Sequence, residues 1–491
     1  MKLYLKGHDY KYACEQMLLT LFPGEKPEYP KEPPAEGENA LELTLSAKDA
    51  WATATASLTY GGKHYGNRSR VPAPIKGSPK LEQDRVLQRA LKTAFYRAGT
   101  EALGKEPPWG ALTGVRPVKI PTKAMEQGFT PRQADAMMRD LYRVSDERRR
   151  LALDCAQASL AAKHSLAAGD ISLYVGIPFC PTRCAYCSFV SAAVGKTLSL
   201  TEPYVDALCR EVAAAGESAK RAGKRIKSAY MGGGTPTTLS AGQMDRLLTA
   251  IEDAFDLSGC VEFTVEAGRP DTITAEKLAV LRAHKIGRVS VNPQSLRDEV
   301  LAAIGRAHSA ADIERAWRQV REAGFPYVNM DLIAGLPADT VEGFRYSLDA
   351  VVALRPENVT VHTLALKKGS RLLTEGGALP TSEDVAEMLD YAWETLRAAG
   401  YIPYYLYRQK YMSGGFENVG WCLPGAESLY NIAMMEELHT ILSLGSGGVT
   451  KLIDAPAGSL VRVCNPKYPK EYLDKIDDII KEKEDLVWPI N

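Results

Sequence analysis

Three cysteines, Cys180, Cys184 and Cys187, fall within eight residues of the segment YVGIPFCPTRCAYCSF, which runs from Tyr174 to Phe189. Thiolates are soft ligands suited to zinc or to iron–sulfur clusters. A structural zinc site takes four protein ligands and is coordinatively closed. This loop offers three, with no fourth candidate nearby. Three cysteines on a cubane of four irons would leave one iron open to an exogenous ligand, as a catalytic metal keeps a vacant position. A zinc knuckle that borrows a distant His or Cys is the competing reading of the same residues. The second feature with chemical potential is MGGGTPT, Met231–Thr237. Glycines there let backbone approach a ligand that a Cβ would obstruct, although a tight turn alone would explain any one of them.

Elements able to position these residues follow from the periodicity around them. Six β-rich runs are each followed by a helix-like segment: Ser172–Ile177, Lys227–Met231, Val261–Glu266, Arg288–Val291, Tyr327–Ile333 and Asn358–Leu364. The stretches between them, such as Tyr204–Ala222, Gln243–Ala254, Ala275–His284, Ile313–Ala323 and Val341–Leu354, carry Leu, Ala and Val at helical spacing. Strand and helix in alternation imply βαβ crossovers and a parallel sheet. Six units are too few for a closed eight-stranded barrel, so the spacing predicts a partial (β/α)6 barrel. Its chemistry belongs at the C-terminal strand ends, and the Cys segment directly follows the first of them.

Residues 1–168 form an N-terminal α+β extension in this reading. LYLKG suggests a strand, Tyr10 to Leu21 a helix, and Ala40 to Tyr60 strands with a hairpin turn at Gly61 and Gly62. The barrel takes residues 169–400. Residues 401–491 read as a small, mostly helical region that caps the substrate, with one helix near Leu429–Leu442 and a charged amphipathic helix at the end. The 491 residues carry 60 Lys and Arg against 60 Asp and Glu, which removes any whole-molecule case for nucleic acid or an anionic membrane. No apolar run reaches the roughly 18 residues that span a bilayer. Nine cysteines, an odd number, without an export signal argue for reduced thiols and a cytoplasmic location.

The spacing C-x3-C-x2-C with Tyr186 before the last Cys resembles the signature of the radical S-adenosylmethionine (SAM) superfamily. YVGIPF narrows the resemblance to the oxygen-independent coproporphyrinogen III oxidase (coproporphyrinogen dehydrogenase) group. LTGVRPVKI at Leu112–Ile120 and YRQKYMSGGFENVGWCLPGAESLYNI at Tyr407–Ile432 look most like its HemZ type. The resemblance implies a [4Fe-4S] cluster held by Cys180, Cys184 and Cys187 plus SAM. It implies that Gly233, Gly234 and Thr235 meet the methionyl amino group, that Glu266 faces the ammonium and that Arg306 pairs with the carboxylate. Gln294 and Asp331 would hold ribose hydroxyls, Tyr186 would stack beside the adenine, and Tyr174 matches a tyrosine at the start of the loop. An Arg fork suits a carboxylate, and a zwitterion in a dry barrel mouth needs both signs answered.

The implied reaction forms a 5′-deoxyadenosyl radical that removes hydrogen from a propionate β-carbon of coproporphyrinogen III. Loss of carbon dioxide and an electron leaves a vinyl group, and two rounds give protoporphyrinogen IX in heme biosynthesis. The implied partners are a small-molecule tetrapyrrole substrate and a reductant such as a flavodoxin or ferredoxin. A tetrapyrrole pocket pairs aromatic walls with a few cations. Tyr404, Tyr405, Tyr407, Arg408, Lys410 and Tyr411 offer that mixture, with Arg408 expected to serve turnover and Arg371 and Arg462 as further candidates.

The match departs at two places. Well-known bacterial dehydrogenases have His at Gly176 and a fourth Cys at Phe189. The rival functional class is the related heme chaperone, whose H-N-x-x-Y-W heme motif compares with YNIAMM at Tyr430–Met435. That segment keeps Asn431 and lacks the imidazole. Another tetrapyrrole-directed radical enzyme would share the loop and the barrel. Cys422 and Cys464 are candidate hydrogen donors, with a plain buried thiol as the alternative.

Overall fold

Contacts divide the protein, described here by a computed structural model, into two units: residues 1–153 with 414–416, and residues 154–413 with 417–491. All residues are described except 36, 49, 76, 188–191, 194–196, 368–369, 376–377, 410–414, 455–457 and 490–491.

In the first unit, β1 (Lys2–Lys6) pairs in parallel with β2 (Ala40–Lys48), which continues antiparallel to β3 (Trp51–Tyr60) and β4 (Lys63–Pro72). The alternation in WATATASLTY sends Ala52, Ala54, Ala56 and Leu58 to one face, where they are buried. Helices Lys11–Leu21 and Lys80–Leu103 contribute Met17, Leu18, Leu91 and Phe95 to the same core. Gly61 and Gly62, both at positive φ (58° and 75°), make the expected hairpin turn between β3 and β4.

The second unit is built on an eleven-stranded sheet. Its parallel centre runs β5 (Asp170–Ile177), β8 (Arg225–Gly233), β9 (Glu262–Glu266), β10 (Arg288–Ser290), β11 (Tyr327–Ala334) and β12 (Asn358–Thr363). These are the six strands expected, and helices Thr201–Arg221, Ala241–Ala254, Ala275–Ala283, Ala310–Glu322 and Val341–Leu354 occupy the crossovers. Short β6 (Phe179–Cys180) and β7 (Ala192–Ala193) pair separately within the loop after β5. The strands bury both faces, as parallel strands under helices do, and β5 has a single half-buried position, Tyr174.

Residues 401–491 differ from the expectation of a mostly helical part. Helices Leu429–Glu436, Pro469–Asp474 and Ile476–Glu484 are accompanied by five strands. Antiparallel β13 (Ile402–Arg408) and β14 (Glu417–Cys422) extend the sheet beyond β12. On the other side β15 (Ile441–Leu444) runs parallel beside β5, followed by β16 (Val449–Asp454) and β17 (Ser459–Cys464). The reason is the sheet edge: β5 and β12 would otherwise expose unpaired backbone groups. No helix among the described residues is long and apolar enough to cross a membrane.

Candidate functional site

All six parallel strands end at one cavity of about 260 Å³. The loop after β5 brings Cys180, Cys184, Tyr186 and Cys187, the end of β8 brings Gly233, Gly234 and Thr235, and β9 ends on Glu266. Gln294 follows β10, Arg306 follows the short helix Asp298–Ala303, and Asp331 lies on β11. Eleven of the thirteen residues singled out from sequence therefore line a single space. A larger cavity, about 500 Å³, opens at the opposite ends of β9 to β11, but its charged groups answer one another. There Arg288 pairs with Glu262 at 3.3 Å, and His284 lies 3.1 Å from both Asp245 and Glu252.

Close backbone approach fixes the Cys loop. Gly234 N–H donates to Ile177 O and Thr235 N–H to Phe179 O, both at 2.7 Å. A Cβ at Gly234 would sit 2.5 Å from Phe179 O, so the strand end and the loop can touch only through glycine. Thr235 Oγ1 donates to Cys180 Sγ at 3.5 Å, and Arg269 Nη1 reaches Thr182 Oγ1 at 3.0 Å and Cys184 Sγ at 3.8 Å. Among the described residues, no three His, Cys, Asp or Glu side chains converge closely enough to hold a single metal ion. Three sulfurs spread over one loop and facing one cavity suit a cluster, whose thiolates bind different irons, better than one tetrahedral zinc.

Around the loop lie polar groups that the protein leaves incompletely answered. Among the described residues, Asn292 Oδ1, Gln294 Oε1 and Arg306 Nε are buried without a partner, a state that ligand contacts would relieve. Gln294 holds a left-handed conformation, φ 67°, locked by its N–H to Asp331 O (2.8 Å) and by Ile333 N–H to its own carbonyl (3.0 Å). Such backbone strain in a non-glycine residue clusters at functional sites. Arg306 Nη1 donates to Asn292 O at 2.7 Å, and Nη2 lies 3.4 Å from Tyr186 Oη. Tyr186 packs against Ile304, Ile333 and Leu364.

Two carboxyls in the cavity are driven in opposite directions. Burial pushes Glu266 up to about 7 and the Asp331 charge adds to that rise, while the Tyr230 phenol, donating at 2.5 Å, opposes it. Burial also pulls Asp331 upward, but hydrogen bonds from His362 and Asn329 hold it below the usual carboxylate range. A neutral-leaning and an ionised carboxyl side by side can meet a ligand of mixed polarity.

Two candidates stand outside the cavity lining. Tyr174 is stacked in the barrel interior, its ring 6.4 Å from both Tyr230 and Tyr430. Its hydroxyl would lie 3.1 Å from a Cβ at Gly233, so it backs the glycine turn. Arg408 is buried on β13 directly opposite Glu417 of β14, and burial lowers it to about 10 against that carboxylate. Strand alternation leaves its neighbours Tyr407 and Gln409 to line the cavity. Tyr404 and Tyr405 are core residues with Cys422. Arg462 is exposed on β17 beside Glu437, exposed Arg371 donates to Arg183 O, and exposed Cys464 ends β17. None of these lines the cavity. Lys410, Tyr411 and Phe189 lie outside the described residues. The structure adds Arg269, Asn292, His362, Lys367 and Asn418 to the lining. His362 is at the end of β12, and Arg269 and Asn292 lie just past the ends of β9 and β10, the C-terminal strand ends where parallel α/β folds place their sites. Lys367 and Asn418 carry no motif of their own.

The sequence profile of the Radical SAM superfamily matches residues 174–351. The chain is 41% identical over 91% of its length, and 90% of the relative's, to the Oxygen-independent coproporphyrinogen-III oxidase-like protein HemZ of Bacillus subtilis. The chain belongs to the HemZ-like family of radical SAM proteins. This family uses a [4Fe-4S] cluster and SAM, and the donor set of the cavity fits both. The HemZ-like chain is also similar to Heme chaperone HemW of Lactococcus lactis, with 32% identity over 56% of this chain and 69% of that one. Among solved structures it is similar to coproporphyrinogen III oxidase HemN of Escherichia coli. That likeness has a TM-score of 0.53 and 26% identity, covering 66% of this chain and 72% of the other.

Proposed function

We propose that this protein is a coproporphyrinogen dehydrogenase, converting coproporphyrinogen III to protoporphyrinogen IX without oxygen. The observation that carries the reading is the shared cavity. The Cys loop and the polar strand ends open onto the same space as Tyr407, Ile333 and Leu364, apolar surface of the kind a tetrapyrrole needs. The 41% identity to an oxidase-like relative over nearly the whole chain supports it.

Cys180, Cys184 and Cys187 hold the cluster, and Gly233, Gly234 and Thr235 receive the amino end of SAM. Arg306 answers the carboxylate and Glu266 the ammonium; a buried carboxyl poised near 7 ionises when a cation is placed beside it. Gln294 and Asp331 serve the ribose, Tyr186 lies at the adenine, and Tyr174 supports the glycine turn from behind. The bound cofactors supply a carbon-centred radical able to take a hydrogen atom from an unactivated carbon. The chain's own work would be to exclude water and to hold a substrate propionate in place against the bound cofactors.

The heme-chaperone alternative finds little support in the segment that would carry it. In helix Leu429–Glu436, Tyr430 stacks on Tyr230 at 4.7 Å, Asn431 donates to Tyr404 Oη at 3.2 Å, and Met434 Sδ accepts from Lys451 Nζ at 2.9 Å. The segment holds no imidazole, and the next histidine, His439, is buried against Ser172 Oγ at 2.7 Å.

Anaerobic reconstitution with iron and sulfide, followed by SAM, dithionite and coproporphyrinogen III, tests the proposal. Protoporphyrin after oxidation is the expected product. Heme binding without vinyl formation favours the chaperone, and deoxyadenosine release without vinyl formation points to a different radical substrate.

A further inference from the structure

Among the described residues, four side chains lining the cavity can carry positive charge: Arg269, Arg306, His362 and Lys367. Arg269 pairs with Asp271 at 3.0 Å, Arg306 donates to Asn292 O and Gly268 O, and His362 lies 3.7 Å from Asp331. Lys367 differs from all three, having neither a hydrogen bond nor an ion pair from its ammonium among the described residues. It is half-buried, and among the described residues its electrostatic neighbour is Cys187. Cys187 would face it as a thiolate when holding the cluster, but among the described residues no carboxylate and no hydrogen-bond acceptor takes its three ammonium donors. Lys367 lies four residues past the end of β12, on the segment that also brings Leu364 and Ala365 to the cavity.

We propose that Lys367 receives a carboxylate of the substrate. The inference rests on the tetrapyrrole reading above and adds the contact that selects a carboxylated one. Lysine suits this task because a compact ammonium with three rotatable donors can follow a flexible propionate. Arg408, Arg371 and Arg462 cannot serve, since none of them lines the cavity.

The test compares wild type, Lys367→Met, Lys367→Gln and Lys367→Arg as anaerobically reconstituted full-length protein. Coproporphyrin III and its tetramethyl ester are titrated by the Soret absorbance change, and iron content reports the cluster. Loss of a charge-assisted contact predicts that the Met and Gln variants weaken coproporphyrin III binding roughly tenfold or more. The Arg variant recovers most of it, and the ester binds all four proteins alike. Equal affinity in all four proteins, or the same loss for the ester, overturns the proposal. So does a loss of iron in the Met and Gln variants without weaker porphyrin binding, which assigns Lys367 to the cluster. If wild type ignores coproporphyrin III yet binds hemin in a Lys367-dependent way, the carboxylate role stands and the dehydrogenase reading falls. Binding of neither removes both.

Discussion

Glu266 pays for its position in the barrel mouth with a charge it holds reluctantly. Its folded-state pKa, about 7, lies above the ordinary 4.5 because burial disfavours the ionised form. A carboxyl raised in this way subtracts from stability as the pH climbs from about 4.5 through 7, and the deficit is complete above that. Glu266→Gln in the cofactor-free protein is therefore expected to match wild type near pH 4.5. At pH 8 it should exceed wild type by on the order of 1–3 kcal/mol, read by urea denaturation. A constant difference across that range would mean that Glu266 ionises normally. Arg408 shows where residue-level reading fails. Tyr404 to Arg408 carries large side chains at both strand parities, so nothing in the sequence says which parity meets the ligand. The structure turns Arg408 inward opposite Glu417. Arg408→Ala should accordingly cost about 3 kcal/mol of stability by leaving a buried carboxylate without its facing charge. Porphyrin affinity in the fraction that folds should stay unchanged.

At the scale of elements, the six barrel strands were legible because each is a short run followed by a segment of helical period, and five of the six carry Val, Ile or Thr. Strand β15 was not. ILSL is only four residues long and follows a helix closely, so its apolar residues read as further helical turns. What identifies it is tertiary: the backbone of β5 from Ser172 to Val175 needs a partner. This strand and its turn also explain Gly176, a position at which the sequence departs from the well-known bacterial dehydrogenases it resembles. A Cβ there would meet Ser446 O at 2.9 Å and Leu444 O at 3.3 Å, so the C-terminal strand occupies the space a side chain would need. The glycines after β8 act similarly on the Cys loop. Gly234→Ala forces the loop backbone away from Thr235, and the expected result is a folded protein that retains less than half the wild-type iron after reconstitution. Full iron content would show that the loop is not held by this contact.

Across the second unit as a whole, a buried charge ties the chain's end to the barrel. Glu211, on the first crossover helix, accepts from Gly445 N at 2.8 Å, Asn465 Nδ2 at 2.7 Å and Tyr472 Oη at 2.6 Å. Lys483, from the last helix, lies 3.5 Å from it and donates to Ser443 O at 3.0 Å. Breaking a buried pair on one side leaves an uncompensated charge, worth roughly 3–5 kcal/mol, whereas removing both is far milder. Urea denaturation of Glu211→Gln, Lys483→Met and the double variant should show the double variant less damaged than the sum of the singles. Simple additivity would mean that the two do not interact. The fold thereby holds one cavity at the C-terminal ends of the six parallel strands. The most direct measurement is the fate of hydrogen from coproporphyrinogen III deuterated at the propionate β-carbons, incubated anaerobically with reduced, SAM-loaded protein. Deuterium recovered in 5′-deoxyadenosine together with vinyl-bearing product is the predicted result. Deoxyadenosine free of deuterium, with the four propionates intact, would contradict it.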